Sequence, residues 1–380
     1  MGKKLRFGIV GCGVIANSKH MPSLKRQPEA ELVAFCDIDR AKAEKAAREF
    51  GTPDARVYED YRELVKDSGV DVVHVATPNR SHCEITIAAF EAGKHVMCEK
   101  PMAANAEDAQ KMIDAWKKTD RKFTIGFQWR FRPETLYLYD LCSKGELGDI
   151  YYGRAQSIKR AGAPTYGSYL SKEAQGGGAL TDSGPHSIDL TLWLMNNYLP
   201  ISVSGSAFDK LKTRTEGNRT GPWKVEDFTV EDSAFGHVKM ANGASVFVEA
   251  SWLLNVPEDA PHITTICGTE GGADLLEKRV RLTKLVDGQI TSFFPDVPGA
   301  DPAKWFPKFL GDYEASHWVH CILHDEEPLV SPYEALVVSK IISAVYASSE
   351  SGKAVYFDQD EMRQINDEIQ KARSRRNWTL

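Results

Sequence analysis

The segment LRFGIVGCGVIA, residues 5–16, joins a short apolar run to a helical pattern through closely spaced glycines. Gly11, Gly13 and Ala16 fit the Gly-x-Gly-x-x-Ala spacing of a strand–turn–helix unit that binds a dinucleotide. The first glycine permits a tight turn, and the second lets the backbone approach a pyrophosphate at the helix N-terminus. The small residue at position 16 lets the helix pack closely on the strand. The alternative is a glycine turn with no ligand.

An acidic residue follows the second predicted strand, AELVAFC at residues 30–36. Asp37 is placed to accept hydrogen bonds from the adenosine ribose hydroxyls, and its charge favours NAD because a carboxylate repels a 2′-phosphate. Arg40 lies three residues on and could pair with that phosphate, so NADP stays open. We expect this end of the cofactor to contact Gly11, Gly13, Val14, Ile15, Asp37, Ile38 and Arg40.

The order of strand and helix patterns along the chain predicts two domains. Strand and helix patterns alternate through the first third, which is typical of parallel βαβ units. After about residue 128 strand patterns with alternating apolar and polar residues dominate. The fold class is therefore α/β: a Rossmann doubly wound parallel sheet at residues 1–127, then an α+β domain with a large, mostly antiparallel open sheet at residues 128–380. We assign substrate binding and oligomerisation to the second domain.

Two further strand ends are predicted at the same edge of the parallel sheet. They are VATPNRSH at residues 75–82 and CEKP at residues 98–101. Ligands of open parallel sheets bind at the carboxyl ends of the strands. Candidates for the nicotinamide side are therefore Thr77, Pro78, Asn79, His82, Glu99 and Lys100. His82 could equally be a helix residue without a ligand, and Lys100 could be a surface lysine paired with Glu99.

The second domain contains QGGGALTDSGPHSIDLTLW, residues 175–193. Asp182 and His186 are four residues apart, so a helical turn would place them on one side. With Lys100 they form a chemical set for oxidising an alcohol: a neutral histidine takes the hydroxyl proton, an ammonium stabilises the alkoxide, and a carboxylate orients the substrate. The alternatives are a helix cap for Asp182 and a packed ring for His186. Asp189, further along the helix, is expected to be structural.

Five segments in order, GIVGCGVIA, ATPNRSH, CEKPMA, GFQWRFRP and GGGALTDSGPHSIDLTLW, resemble the glucose–fructose oxidoreductase / inositol dehydrogenase / MocA family. The resemblance runs through about residue 200. It implies that His186 is the general base, assisted by Lys100 and Asp182, and that Gln128 contacts the cofactor. It also implies a homodimer or homotetramer formed through the open sheet.

Within that family the stretch IKRAGAPTYGSYLSKEAQGGG, residues 158–178, resembles a branch that acts on neutral sugars and cyclitols. Arg160 and Tyr166 would help to shape the pocket, together with Lys100, Asp182 and His186. The expected reaction is oxidation of a ring secondary hydroxyl of a monosaccharide, anhydrosugar or inositol to a ketone. The alternatives are an enzyme that keeps and recycles its NAD, such as an oxidation–elimination glycosidase, and a sugar-sensing regulator without turnover.

Composition excludes several other classes of function. The net charge of the 380-residue chain is −6, and the only concentrated basic run is KARSRRNW at residues 371–378. We interpret that run as a solvated helix end, so we expect no nucleic-acid partner. No apolar run has the length of a membrane span. The seven cysteines contain no CxxC pair, which fits a reducing cytoplasm. No metal site is expected.

Overall fold

A computed structural model describes residues 4–276, 279–297 and 308–376. It contains a six-stranded parallel sheet and a nine-stranded, mostly antiparallel sheet, and helices pack against both sheets. The predicted fold class is therefore confirmed. No helix in these ranges is long and apolar enough to cross a membrane.

The parallel sheet has the strand order β3-β2-β1-β4-β5-β6, in which the winding direction reverses between β1 and β4. Its strands are β1 (Leu5–Val10), β2 (Ala30–Cys36), β3 (Arg56–Tyr58), β4 (Val72–Val75), β5 (His95–Cys98) and β6 (Phe123–Ile125). The connecting helices are a π-helical turn (Ala16–His20) that continues into α1 (Met21–Lys25), α2 (Arg40–Phe50), α3 (Tyr61–Lys66), α4 (His82–Glu91) and α5 (Ala106–Trp116). Short 3₁₀ turns precede α4 (Asn79–Ser81) and follow β6 (Gln128–Phe131).

Side-chain caps fix where these helices begin. Asp39, Asp60 and Asn105 each accept a hydrogen bond from a backbone N–H in the first turn of α2, α3 and α5. Such caps satisfy donors that a helix leaves without intrahelical partners. The four residues of β4 are all buried, as expected for a central strand of a sheet covered on both faces.

The second sheet has the order β14-β13-β12-β11-β7-β10-β9-β8-β15, and only the β7–β10 pair is parallel among its described strands. The strands are β7 (Ile150–Ile158), β8 (Pro200–Phe208), β9 (Ser233–Met240), β10 (Ser245–Ser251), β11 (Ala260–Gly268), β12 (Gly272–Leu276), β13 (Arg279–Val286), β14 (Gln289–Phe293) and β15 (Val355–Tyr356). The associated helices are α6 (Pro133–Ser143), α7 (Lys172–Gln175), α8 (Ala179–Asp182), α9 (Gly184–Met195), α10 (Lys308–Leu323), α11 (Pro332–Ser351) and α12 (Gln359–Ser374), with a 3₁₀ turn at Val225–Asp227.

Helices α9 and α11 cover one face of this sheet. Glycines in β8 and β9 allow the close approach: a Cβ on Gly205 or Gly236 would lie 2.8 Å from the side chain of Val345 in α11. Arg130 ties the covering helices together, since its guanidinium bonds Asp189 of α9 at 2.9 Å and Glu334 of α11 at 2.5 Å. These contacts agree with the structural role predicted for Asp189.

Helix α10 returns from the second half of the sequence to the first sheet. Trp318 and Val319 pack in one buried cluster with Met21 and Leu24 of α1. The division into domains at residues 1–127 and 128–380 stays a prediction. The packing of α10 nevertheless shows that a segment far along the chain completes the core around the dinucleotide-binding helix.

Two glycines of the opening motif have different structural reasons. Gly11 has a φ of +91°, and a Cβ there would lie 2.5 Å from the carbonyl oxygen of Ala76. A Cβ on Gly13 would meet no atom within 4 Å. The first glycine is required by the fold, whereas the second leaves an open space above the turn.

Gly11→Ala should therefore lower the free energy of unfolding by about 2 kcal/mol or more, through backbone strain and the contact with Ala76. Gly13→Ala is the matched control and should unfold like the wild type, while its affinity for the dinucleotide falls. Urea denaturation followed by circular dichroism measures the first effect, and calorimetric titration with NAD the second. Equal stability of the two variants would contradict this assignment.

Candidate active site

A cavity of about 390 Å³ opens where the carboxyl ends of the parallel strands face the second sheet's loops. It is lined by residues from both halves of the chain. Of the residues predicted from the sequence, its wall contains Val14, Ile15, Thr77, Pro78, Asn79, Glu99, Lys100, Gln128, Tyr166 and Asp182.

The turn after β1 fits a dinucleotide. The backbone N–H of Cys12 donates to one carboxylate oxygen of Asp37 at 2.9 Å, and that of Asp39 donates to the other at 2.9 Å. The carboxylate is thus fixed beside the glycine turn. A Cβ on Gly13 would fill the open space above the turn, and Ile38, which follows Asp37 in the chain, is 94% exposed. The chain therefore presents a backbone cradle, an oriented acid and an exposed apolar side chain for a pyrophosphate, a ribose and a base.

Arg40 is already engaged by carboxylates. Its guanidinium lies 2.9 Å from Glu44 and 3.5 Å from Glu59. These two carboxylates balance its charge and would oppose a phosphate at the same place. These contacts give less support to the alternative in which Arg40 pairs with the 2′-phosphate of NADP, and cofactor selection by Asp37 stays a prediction.

Lys100 follows β5 and reaches across the cavity to the second half of the chain. Its ammonium lies 2.9 Å from the carbonyl oxygen of Asp182 and 3.1 Å from the carboxylate Oδ1. The other carboxylate oxygen of Asp182 accepts a hydrogen bond from the indole of Trp252 at 3.2 Å. Burial alone would lower the pKa of Lys100, but the Asp182 carboxylate raises it, so the lysine is an ammonium. The Lys100–Pro101 peptide bond is cis.

Glu99 turns the opposite way and is not the ion-pair partner of Lys100. One carboxylate oxygen lies 2.6 Å from the Lys19 ammonium and 2.7 Å from the His20 ring, while the other accepts the Lys100 backbone N–H at 3.0 Å. Burial would raise the pKa of Glu99, but Lys19 and His20 hold it well below its usual range. The carboxylate is thus ionised, and its bond to the Lys100 backbone stabilises the turn after β5.

His186 lies in the first turn of α9, in an aromatic cluster beside the cavity. Its ring stacks on Trp129 with centroids 5.1 Å apart and faces the edge of His262 at 6.0 Å. Burial, followed by the charge of Lys100, holds the pKa of His186 well below 6.5. The ring is therefore neutral, and its Nδ1 has no hydrogen-bond partner among the described residues. Such a ring can accept a proton.

The backbone between Asp182 and His186 is helical in conformation, since Ser183, which lies between α8 and α9, has φ −93° and ψ −32°. Asp182 ends the short helix α8, and His186 follows in α9 after Ser183. His186 is not among the residues that line the cavity, although its electrostatic interaction with Lys100 places it close by.

His82 and Arg160 are also absent from the cavity wall. His82 is fully buried, and its ring nitrogens lie 2.9 Å from the carbonyl oxygens of Pro101 and Thr77, so it links the two strand-end loops. Arg160 donates to the carbonyl oxygen of Pro257 at 3.0 Å and lines a separate groove. The described residues contain no cluster of three or more histidine, cysteine or acidic side chains that could hold a metal.

Sequence reasoning missed several residues around the site. Tyr169 lines the cavity, and burial raises its pKa to about 12. Lys159 follows β7 as Lys100 follows β5; burial lowers its pKa although Asp182 raises it. β7 alternates buried and partly exposed residues, so the sequence lacks at Lys159 the apolar run that precedes Lys100. His262 has no comparable signal, because only the fold brings it to Trp129.

Known protein families and proteins resemble this chain over most of its length. The family model for oxidoreductases with an NAD-binding Rossmann fold (Gfo/Idh/MocA) matches residues 5–127, and the C-terminal domain model of the same family matches residues 135–274. D-glucoside 3-dehydrogenase of Escherichia coli K12 is 31% identical, over 92% of this chain and 97% of its own.

Two other similar proteins extend the comparison. Inositol 2-dehydrogenase/D-chiro-inositol 3-dehydrogenase of Lactiplantibacillus plantarum is 34% identical over 85% of each chain. Levoglucosan dehydrogenase in complex with NADH and levoglucosan superposes with a TM-score of 0.80, covering 94% of this chain and all of the other, at 23% identity. This last likeness concerns the fold alone.

The cofactor preference can be tested at Asp37. Asp37→Ser should weaken NAD by about tenfold, the scale of losing a hydrogen bond to a charged group, and should permit NADP because the repulsive charge is gone. Titration with each cofactor measures both constants. Asp39→Ser removes the same charge two residues away and should leave the preference unchanged. An unchanged preference in Asp37→Ser would mean that the carboxylate does not face the ribose.

Proposed function

The chain belongs to the Gfo/Idh/MocA family of NAD-binding oxidoreductases, and on that premise we propose that it oxidises a ring secondary hydroxyl of a neutral monosaccharide, anhydrosugar or inositol to a ketone. It is a dehydrogenase with NAD as cofactor. The proposal rests above all on one observation: the Lys100 ammonium and the Asp182 carboxylate meet on the wall of a cavity that the dinucleotide turn also lines.

Three side chains divide the work in this proposal. The neutral His186 ring takes the hydroxyl proton, because burial keeps it unprotonated. The Lys100 ammonium lies against the same oxygen and stabilises the negative charge that develops on it. Asp182 holds Lys100 in place and orients a neighbouring hydroxyl of the substrate. Bound NAD supplies the acceptor for the hydride that leaves the carbon.

The remaining predicted residues are proposed to bind the cofactor. The pyrophosphate would lie on the backbone at Gly11, Gly13, Val14 and Ile15, and the ribose on Asp37 beside Ile38. Thr77, Pro78, Asn79 and Gln128 would surround the nicotinamide, since all four line the cavity next to Lys100. Tyr166 lines its far side and would contact the sugar.

A substrate panel tests the function directly. Glucosides, inositols, free aldoses and anhydrosugars are mixed with the protein and fresh NAD or NADP, and formation of the reduced cofactor is followed by absorbance. The names of the relatives place glucosides and inositols first in the panel. Sustained reduction of the cofactor by one of them is the expected result. Hydrolysis of a nitrophenyl glycoside without net formation of NADH would instead indicate an enzyme that recycles its cofactor. Sugar binding without turnover would indicate a regulator.

The catalytic set is tested by two substitutions. Lys100→Ala and His186→Ala should each lower kcat by about 10²-fold or more, because each removes a charge-stabilising or proton-accepting group, while NAD still binds. Stopped-flow measurement of NADH formation gives the rate of the chemical step.

Each variant has a matched control. Lys94 is a buried lysine just before β5, where its ammonium donates to the carbonyl oxygens of Asp67 and Val70 at 2.9 and 2.8 Å. His317 is a histidine in α10 that accepts the Leu329 N–H at 2.8 Å. Lys94→Ala and His317→Ala should lower stability and leave kcat near the wild-type value. Near-normal turnover in Lys100→Ala or His186→Ala would refute that residue's role.

We also propose that the chain forms a homodimer or homotetramer through the uncovered face of the second sheet. Aromatic side chains follow one another across β7, β10, β9 and β8 on that face; Tyr152 and Phe247 lie 5.8 Å apart, and Phe208 is 40% exposed. Monomers rarely leave a sheet face of this kind in water. Light scattering should give two or four times the chain mass of 42.3 kDa, and a monomer would contradict the proposal.

A further inference from the structure

A buried ammonium lies beneath the cavity, three residues after the glycine motif. Lys19 belongs to the π-helical turn that precedes α1, and its side chain is 3% exposed. It bonds Glu99 after β5 at 2.6 Å, Glu314 of α10 at 3.0 Å, and the amide oxygen of Gln128. One cation thus joins the dinucleotide helix to three other parts of the molecule.

This ammonium is held in its charged form by its surroundings. Burial would lower the pKa of Lys19, but the carboxylates of Glu314 and Glu99 raise it. Removing a cation from water is costly unless its donors are all used. Lys19 has three donors and three acceptors, so its position is fixed by the contacts rather than by packing alone.

The contact with Gln128 fixes the orientation of an amide at the cavity. A lysine ammonium has donors and no acceptor, so the amide oxygen must face it. Gln128 also lines the cavity beside Lys100. With the oxygen occupied by Lys19, the amide NH₂ is the part of the side chain that remains to donate to a ligand there.

The contact between Lys19 and Glu99 helps to fix the end of β5, where Lys100 lies. Glu99 uses one carboxylate oxygen for Lys19 and the other for the backbone N–H of Lys100. Without the cation, Glu99 would be a buried carboxylate next to the turn that carries Lys100, and either its protonation or its displacement would move that turn.

We propose that Lys19 is a positioning residue for the nicotinamide end of the cofactor: it aims the NH₂ group of Gln128 at the cavity and holds, through Glu99, the strand end that carries Lys100. The proposal rests on the proposed function in one respect, namely that the cavity beside Lys100 receives the nicotinamide. It assigns to Lys19 no contact with the reacting atoms.

The test separates the nicotinamide end from the rest of the cofactor. Lys19→Met should raise the dissociation constant of NAD by about tenfold, the effect of losing one to two well-placed hydrogen bonds. The dissociation constant of ADP-ribose, which lacks the nicotinamide, should stay within about twofold of the wild-type value. Isothermal titration calorimetry gives both dissociation constants without any sugar. A merely structural role would change the affinities of the two ligands in parallel or not at all.

Glu314→Gln is the matched control. Glu314 belongs to the same ion cluster, but it comes from α10 and is not on the cavity wall. Its substitution should lower the melting temperature and leave the ratio of the NAD and ADP-ribose constants as in the wild type. If Glu314→Gln shifts that ratio as far as Lys19→Met does, the effect is general loosening of the cluster and the proposal fails.

A double variant covers the case in which Lys19→Met does not fold. Lys19→Met/Glu314→Gln removes one of the two carboxylates that would otherwise stay buried without their cation, and it should show the same selective loss of NAD affinity. If a folded variant that lacks Lys19 keeps the wild-type ratio of the NAD and ADP-ribose dissociation constants, the proposal is wrong. If the wild type binds NAD but oxidises no sugar of the panel, the proposed function fails and the ratio test still decides the role of Lys19.

Discussion

The ion pair between Lys100 and Asp182 is the interaction on which the arrangement of the cavity depends. It joins the end of a strand in the first sheet to the end of a helix on the second, across 82 residues of sequence. Both groups are largely buried, and each stabilises the charged form of the other. Trp252 in turn bonds Asp182, so the pair also fixes the cavity relative to β10.

Adjacent residues at the end of β5 serve opposite sides of the molecule. Glu99 points toward Lys19 and the dinucleotide helix, while Lys100 points toward Asp182 and the second sheet. Two residues of one short segment thus couple the part that holds the cofactor to the part that would hold the substrate, and a change in either ion pair would reach the other through a single peptide unit.

The fold could be predicted well because its signals are local. Gly11 and Gly13 fix a turn, and alternating strand and helix patterns identify the parallel βαβ units. The candidate site could be predicted only for residues that come just after a recognisable strand, as Lys100 and Asp37 do. His262 and Glu314 could not be found, because only long-range packing brings them to Trp129 and Lys19. Arg160 and His82 have suitable chemistry in suitable segments, but the path of their loops places them off the cavity wall.

The electrostatics of the site distinguish the two nitrogen bases. Burial acts on both Lys100 and His186 by disfavouring their charged forms. Lys100 has a carboxylate at 3.1 Å that outweighs burial, whereas His186 has aromatic neighbours and the charge of Lys100, which act in the same direction as burial. One base is therefore kept protonated and the other unprotonated, and the same ammonium contributes to both conditions. In the proposed reaction Lys100 polarises the hydroxyl and His186 accepts its proton, since only His186 is in the state that can take one.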